Sequence, residues 1–294
     1  MIELKSDYLQ VEFQSLGGAL SSIKDKDGVE YLWQGNWSGQ APVLFPICGS
    51  VRNDTVLYDQ EDGSQVKGKI PRHGLVRKKE FELVNQTENS VTFAIEDDEE
   101  MYENYPYHFR LEITYTVTGK KIRTEYKIFN KESKKGMPYF IGGHPGFNCP
   151  LLDNEVYEDY YLEFEKPETC SVPRPFPETG MLDFKDRSSW LDNQKELDLN
   201  YNLFNYDAVT LDDLNSRSVC LRSRKHDKGL RLDFKEFSNL IVWSTLNKGP
   251  FIAIEPWSGL STSLEEGDRL EEKKDVRILK PGQVDHIGFD IEIL

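Results

Sequence analysis

The chain has 294 residues, 38% of them hydrophobic and 12% aromatic, enough to bury a large core and too apolar for a disordered polypeptide. Its 51 acidic and 36 basic residues give a formal charge of -15. Such a surface repels phosphate backbones and anionic lipid heads, so neither nucleic acid nor membrane is an expected partner, although a small pocket can still be locally basic.

The opening Met1–Asp7 alternates charged and apolar residues, which predicts no signal peptide. No apolar run approaches the ~18–20 residues of a membrane helix. From there the pattern is mostly of period two, with turn residues between short runs. Strands are predicted at Tyr8–Phe13, Ala19–Ile23 and Val29–Trp33, the last two around an Asp27-Gly28 turn. A second turn at Asp62-Gly63 separates Val56–Tyr58 from the stretch around Val66. Phe81–Val84 and Val91–Ile95 follow, and Asp97 to Tyr105, with its acidic residues near the N-terminal end, suits a short helical turn. Phe109–Thr118 alternates without a break, and Thr118-Gly119-Lys120-Lys121 turns it back into Ile122–Phe129.

Pro167–Trp190 is rich in proline and polar residues and reads as a long surface excursion. Later strands are expected at Tyr160–Phe164, Ala208–Leu211, Ser218–Arg222, Leu230–Phe234, Leu240–Ser244, Phe251–Glu255, Arg277–Leu279 and Ile287–Ile293. No composition shift divides the chain, which predicts one domain over 1–294, all-β, a sandwich or barrel. The cysteines Cys48, Cys149, Cys170 and Cys220 lack metal or redox spacing and suit reduced thiols in a cytoplasmic protein.

Three segments break the strand pattern with an ionisable residue among Gly and Pro. In Gly142-Gly143-His144-Pro145-Gly146 the glycines permit close backbone approach to a ligand, and Pro145 biases His144 toward an extended conformation. His144 is either a general acid or base, or a buried turn histidine. In Ile252-Ala253-Ile254-Glu255-Pro256-Trp257 an apolar strand ends in a carboxylate, which is costly to bury unless paired or functional. Desolvation there raises a carboxyl pKa toward that of a useful base.

The third segment, Pro71-Arg72-His73-Gly74, offers His73 as a second pocket histidine or a surface turn. Arg52 is either a donor to ligand hydroxyls or half of a surface salt bridge, and Asp207 either accepts from hydroxyls or caps a strand. Trp257, Phe147 and Trp243 are candidates to stack on a sugar face, with core packing the default for Trp243. No metal-ligand spacing, phosphate-cradling loop or nucleophile elbow is present, so no cofactor is expected.

Taken in order, Leu16-Gly17-Gly18-Ala19, Val51-Arg52-Asn53, Arg72-His73-Gly74, Gly143-His144-Pro145-Gly146-Phe147, Tyr206-Asp207-Ala208 and Ile254-Glu255-Pro256-Trp257 resemble the aldose 1-epimerase, or galactose mutarotase-like, family. Within it the chain is most similar to the branch represented in bacterial lactose operons. The resemblance implies a large β-sandwich ("supersandwich") with an open cleft and an aldose sugar as ligand, in a monomer or homodimer. It implies Glu255 as general base, His144 as general acid, and His73, Arg52 and Asp207 as hydroxyl-binding residues.

Anomers interconvert by opening to the aldehyde and closing on the other face. Opening takes the proton from O1 and gives one to ring O5, so an acid and a base on opposite sides of the anomeric centre suffice. Three alternatives remain on the residues alone: a glycosidase using Glu255 and Asp207, a non-catalytic sugar sensor, and a hexose 6-phosphate mutarotase with Arg72 and Arg77 near the phosphate.

Overall fold

The strands Phe109–Thr118 and Lys121–Asn130 show how this sequence makes sheet. Phe109, Leu111, Ile113, Tyr115 and Val117 are buried while the residues between them are not. Register pairs Thr118 with Lys121 across a two-residue turn in which Gly119 takes φ +58°.

The computed structural model describes residues 2–35, 40–59 and 63–294. In it this hairpin supplies the sixth and seventh strands of a nine-stranded antiparallel sheet. The order runs Met181–Asp198, Tyr160–Phe176, Ser218–Ser223, Gly229–Asp233, Val284–Ile293, Lys121–Asn130, Phe109–Thr118, Ser90–Glu96, Glu82–Gln86. A second sheet runs Val209–Leu211, Asn239–Trp243, Phe251–Trp257, Gly142–Gly143, Val43–Leu44, with Gly146–Asn148 also on Phe251–Trp257.

The two sheets pack face to face, which makes the protein an all-β sandwich. The Tyr126 hydroxyl of the large sheet donates to the Gly142 carbonyl of the small one at 3.5 Å. One hydrophobic cluster runs from Leu4 to Ile293. The predicted helical turn is Glu99–Asn104, capped by Asp98, which accepts from the Met101 N–H. Among the described residues no helix is long and apolar enough to cross a membrane.

Two expectations change, and a third falls partly outside the described residues. The stretch Pro167–Trp190 is not a loop but most of a ribbon formed by Tyr160–Phe176 and Met181–Asp198, at the edge of the large sheet. Four register shifts interrupt its pairing, so the alternation that would have marked it is broken, and an edge position tolerates its prolines. Val29–Trp33 makes only isolated bridges, Lys24 with Glu30 and Leu32 with Phe147. The Asp62-Gly63 turn falls partly outside the described residues, since Asp62 is not among them; the flanking strands Thr55–Asp59 and Gln65–Lys69 do pair.

Candidate active site

The strand Phe251–Trp257 is buried on both faces. Ile252 and Ile254 occupy one face and Ala253, Glu255 and Trp257 the other, by the two-residue alternation of a strand. Its neighbour Asn239–Trp243 sets Ile241 opposite Glu255 and Trp243 opposite Ala253. A carboxyl, two indoles and an isoleucine therefore line one side of a cup of about 110 Å³.

Gly142 pairs with Trp257, and this register carries the next residues alongside Glu255. The His144 N–H donates to the Pro42 carbonyl at 3.0 Å, and the Pro145 carbonyl accepts from Ile254 at 3.2 Å, so the backbone is held on both sides of the ring. His144 Nε2 lies 3.3 Å from Glu255 Oε2. Acid and base were expected across a gap; the register instead makes them side-by-side neighbours. The paired glycines also serve another purpose than expected. A Cβ at Gly142 would stand 2.8 Å from the Trp257 ring, and one at Gly143 2.9 Å from Phe289. They make room for protein, not for ligand.

His73 closes the cup from the loop after Gln65–Lys69. Its N–H donates to the Gly49 carbonyl at 2.7 Å, and its Nδ1 accepts from the Gly49 N–H at 3.3 Å. A backbone N–H can only donate, so Nδ1 is bare and the ring proton sits on Nε2, ready to donate. His73 and Asp207 both hold positive φ, +70° and +113°. Side chains other than glycine rarely adopt that conformation, and strain of this kind concentrates at functional positions. Asp207 is fixed by Arg72, whose Nη2 lies 3.4 Å from its Oδ2.

Burial sets the protonation of the central pair. It pushes the Glu255 carboxyl well above its ordinary range, against the opposing pull of the Trp257 N–H, which donates to Oε2 at 3.1 Å, and of Arg72. It pushes His144 down to about 3, helped by the positive charges of Arg77 and Arg72. His73 is also driven well below its usual value, by burial and then by His144 and Arg72. Burial thus favours a neutral carboxyl touching a neutral imidazole.

Of the residues singled out in the sequence, Glu255, His144, His73, Asp207 and Trp257 meet in the cup. Arg52 and Phe147 do not. Arg52 Nη1 bonds Asp268 at 3.0 Å, and Nη2 donates to the carbonyls of Ser263 and Glu266 at 3.2 and 2.8 Å, so its donors tie down the 263–268 loop. Arg52→Ala should therefore destabilise the fold by about 1–3 kcal/mol through lost charged hydrogen bonds, read as a lower urea midpoint, and leave the affinity of the cup for its ligand within twofold. A tenfold loss of that affinity would return Arg52 to the site. Phe147 is fully buried between Ile252, its register partner, and Leu32, where its ring cannot stack on a ligand.

Arg72 and Trp243 line the cup in their place. Arg72 could have been read from its place beside His73. Trp243 looked like core, and only the register with Ala253 puts it on the face of Glu255. Among the described residues no group of three or more His, Cys, Asp or Glu side chains could hold a metal ion.

The chain belongs to the aldose 1-epimerase family, whose model matches residues 1–276. Particular relatives are the LacX proteins of Lactococcus lactis subsp. lactis, one chromosomal and one plasmid, each 60% identical across all of this chain and 99% of theirs. Among solved structures it is similar to a galactose mutarotase related enzyme from Lactobacillus acidophilus, with 28% identity, a TM-score of 0.92 and coverage of 100% of this chain and 97% of that one. A galactose mutarotase-like protein from Lactobacillus casei ATCC 334 follows at 26% identity and TM-score 0.89, each chain covered in full.

Proposed function

We propose that the protein is an aldose 1-epimerase that interconverts the α and β anomers of a hexose such as galactose or glucose, with Glu255 as general base and His144 as general acid. The observation that carries this reading is the 3.3 Å contact between His144 Nε2 and Glu255 Oε2 at the floor of an open cup. The pair holds one exchangeable proton. Moving it from Glu255 to His144 gives carboxylate and imidazolium with no change in the charge of the pair.

The carboxylate then takes the O1 proton as the C1–O5 bond breaks, and the imidazolium protonates O5. Opening thus ends on neutral Glu255 and neutral His144, the state that burial favours. After rotation about C1–C2, Glu255 returns its proton to the carbonyl oxygen and His144 takes one from the O5 hydroxyl as the ring closes. His73 Nε2–H, Arg72 and Asp207 supply hydrogen bonds to hydroxyls, and the indoles of Trp243 and Trp257 supply apolar faces. The four unbridged cysteines support a reducing, cytoplasmic setting.

A pair that must carry one proton gives a bell-shaped pH profile whose limbs belong to the pair. Burial opposes a second proton, because His144 is pushed down, so the acid limb moves to low pH. Burial equally opposes loss of the last proton, because Glu255 is pushed up, so the alkaline limb moves to high pH. Mutarotation, followed by polarimetry and corrected for buffer catalysis, should therefore be flat from about pH 5 to about pH 8. A rate that falls with a single pKa near 6.5 would show an isolated histidine instead.

A further inference from the structure

His144 stands between two spaces. Its Nε2 faces Glu255 in the cup, and the residue also lines a small cavity between the two sheets, together with Thr124, Tyr126, Gly143 and Phe289. Thr124 and Tyr126 lie on the inward face of Lys121–Asn130, where every second residue is buried. Thr124 is 1% exposed, and among the described residues its Oγ1 has no hydrogen-bond partner. The Tyr126 hydroxyl reaches the Gly142 carbonyl only at 3.5 Å, the long limit of such a bond. A buried hydroxyl without a partner is costly, and a valine would fill the same place without that cost. We propose that Thr124 is a positioning residue for the acid: with Tyr126 it holds one water in this cavity, and that water accepts the Nδ1 proton of His144.

The cavity suits one water and nothing larger. It measures about 10 Å³, and a single water needs ~10–15 Å³ together with several polar partners. Three hydroxyls line it. That of Tyr115 is committed to the Gly18 carbonyl at 2.9 Å, so Thr124 and Tyr126 are the pair at hand. A Cβ at Gly143 would stand 3.2 Å from Tyr126 Oη, which places that hydroxyl directly against the residue before His144. None of the lining residues is a carboxylate, a lysine or an arginine, so no other charge competes for the imidazole proton from this side. A water that accepts from Nδ1–H can donate its own hydrogens to the oxygens of Thr124 and Tyr126.

The place of that proton decides what His144 can do for Glu255. While the shared proton rests on the Glu255 carboxyl, Nε2 must be bare to receive it, so the proton of the neutral ring belongs on Nδ1. In the other tautomer Nε2 has no lone pair, and the carboxyl proton has nowhere to go. Burial opposes the imidazolium that forms next, and a hydrogen bond to its own main chain supports it. The water adds an acceptor on the side away from Glu255, so both ring N–H groups have partners when the ring is charged. The kinetic consequence rests on the epimerase reading; the tautomer does not.

Nitrogen NMR of protein isotopically labelled at histidine tests this without relying on turnover, with the His144 signals assigned by their loss in His144→Gln. The wild-type ring should carry its proton on Nδ1. Thr124→Val should move that proton to Nε2 and lower kcat for mutarotation about tenfold or more, the range for groups that orient another residue, with KM within twofold. Thr124→Ser keeps the hydroxyl and should restore both the tautomer and most of kcat, and Tyr126→Phe should act in the same direction as Thr124→Val. The wild-type tautomer and Tyr126→Phe decide the matter even if Thr124→Val does not fold. A proton on Nε2 in the wild type overturns the assignment. So does a Thr124→Val protein with unchanged tautomer and kcat, or a loss of kcat that Thr124→Ser shares in full. The expected tautomer change in a protein that accelerates no anomerisation keeps Thr124 as the residue that sets His144 and removes the epimerase reading.

Discussion

Glu255→Gln is expected to lower kcat for mutarotation by about 10²–10⁴-fold, the range of a positioned acid–base group, with sugar affinity retained. The amide keeps the shape of the carboxyl. With its oxygen at the Oε2 position it can accept from the Trp257 N–H, and from His144 Nε2 in the tautomer that carries its proton there. What it cannot do is take a proton from O1.

The fold should not suffer, and the linkage sign gives a control. Burial raises the Glu255 pKa in the folded state, so above about pH 4.5 the unfolded chain gains by ionising. The contribution of this residue to stability is full below that pH and falls as pH rises toward the folded value. The variant escapes that loss. Its urea midpoint should match wild type at pH 4 and equal or exceed it at pH 8. A large loss of midpoint at both pH values would assign Glu255 a structural role, and an unchanged kcat would remove it as the base.

His144→Gln is expected to lose a similar 10²–10⁴-fold in kcat with a smaller change in KM, and its pH dependence separates chemistry from packing. Without the imidazole, the residual rate depends on ionised Glu255 alone. Because burial holds that carboxyl well above its ordinary range, the residual rate should climb with pH through neutrality, where wild type is flat. Polarimetric rates from pH 5 to 9 read this directly. A variant that keeps the flat profile at full rate would show that His144 moves no proton.

Sequence alone carried the strands whose inward residues recur every second position, such as Phe109–Thr118, and it carried Glu255 because a carboxyl closing an apolar strand violates the burial rule. It could not carry the edge ribbon, whose bulges erase the alternation. The errors at Arg52 and Phe147 share a cause. Both side chains were judged by type and by nearby Gly or His residues, whereas their roles are set by long-range partners. Asp268 and the Ser263 carbonyl lie more than two hundred positions from Arg52, and Ile252 more than a hundred from Phe147. Trp243 went the other way, since the register of two neighbouring strands decides whether it faces the core or the cup.

The contact between His144 and Glu255 followed from the pairing of Gly142 with Trp257, again a matter of register. The two glycines were noticed for the right reason, close approach, but the approaching groups are Trp257 and Phe289.

The central claim is that one shared proton, held between a glutamate and a histidine, opens and closes a sugar ring. Polarimetry of freshly dissolved single anomers of galactose and glucose, with catalytic amounts of protein at pH 7, tests it most directly. The prediction is a faster approach to the same final rotation, in proportion to protein added and absent with Glu255→Gln. An unchanged rate for every sugar, under conditions where titration shows the sugar bound, would contradict it.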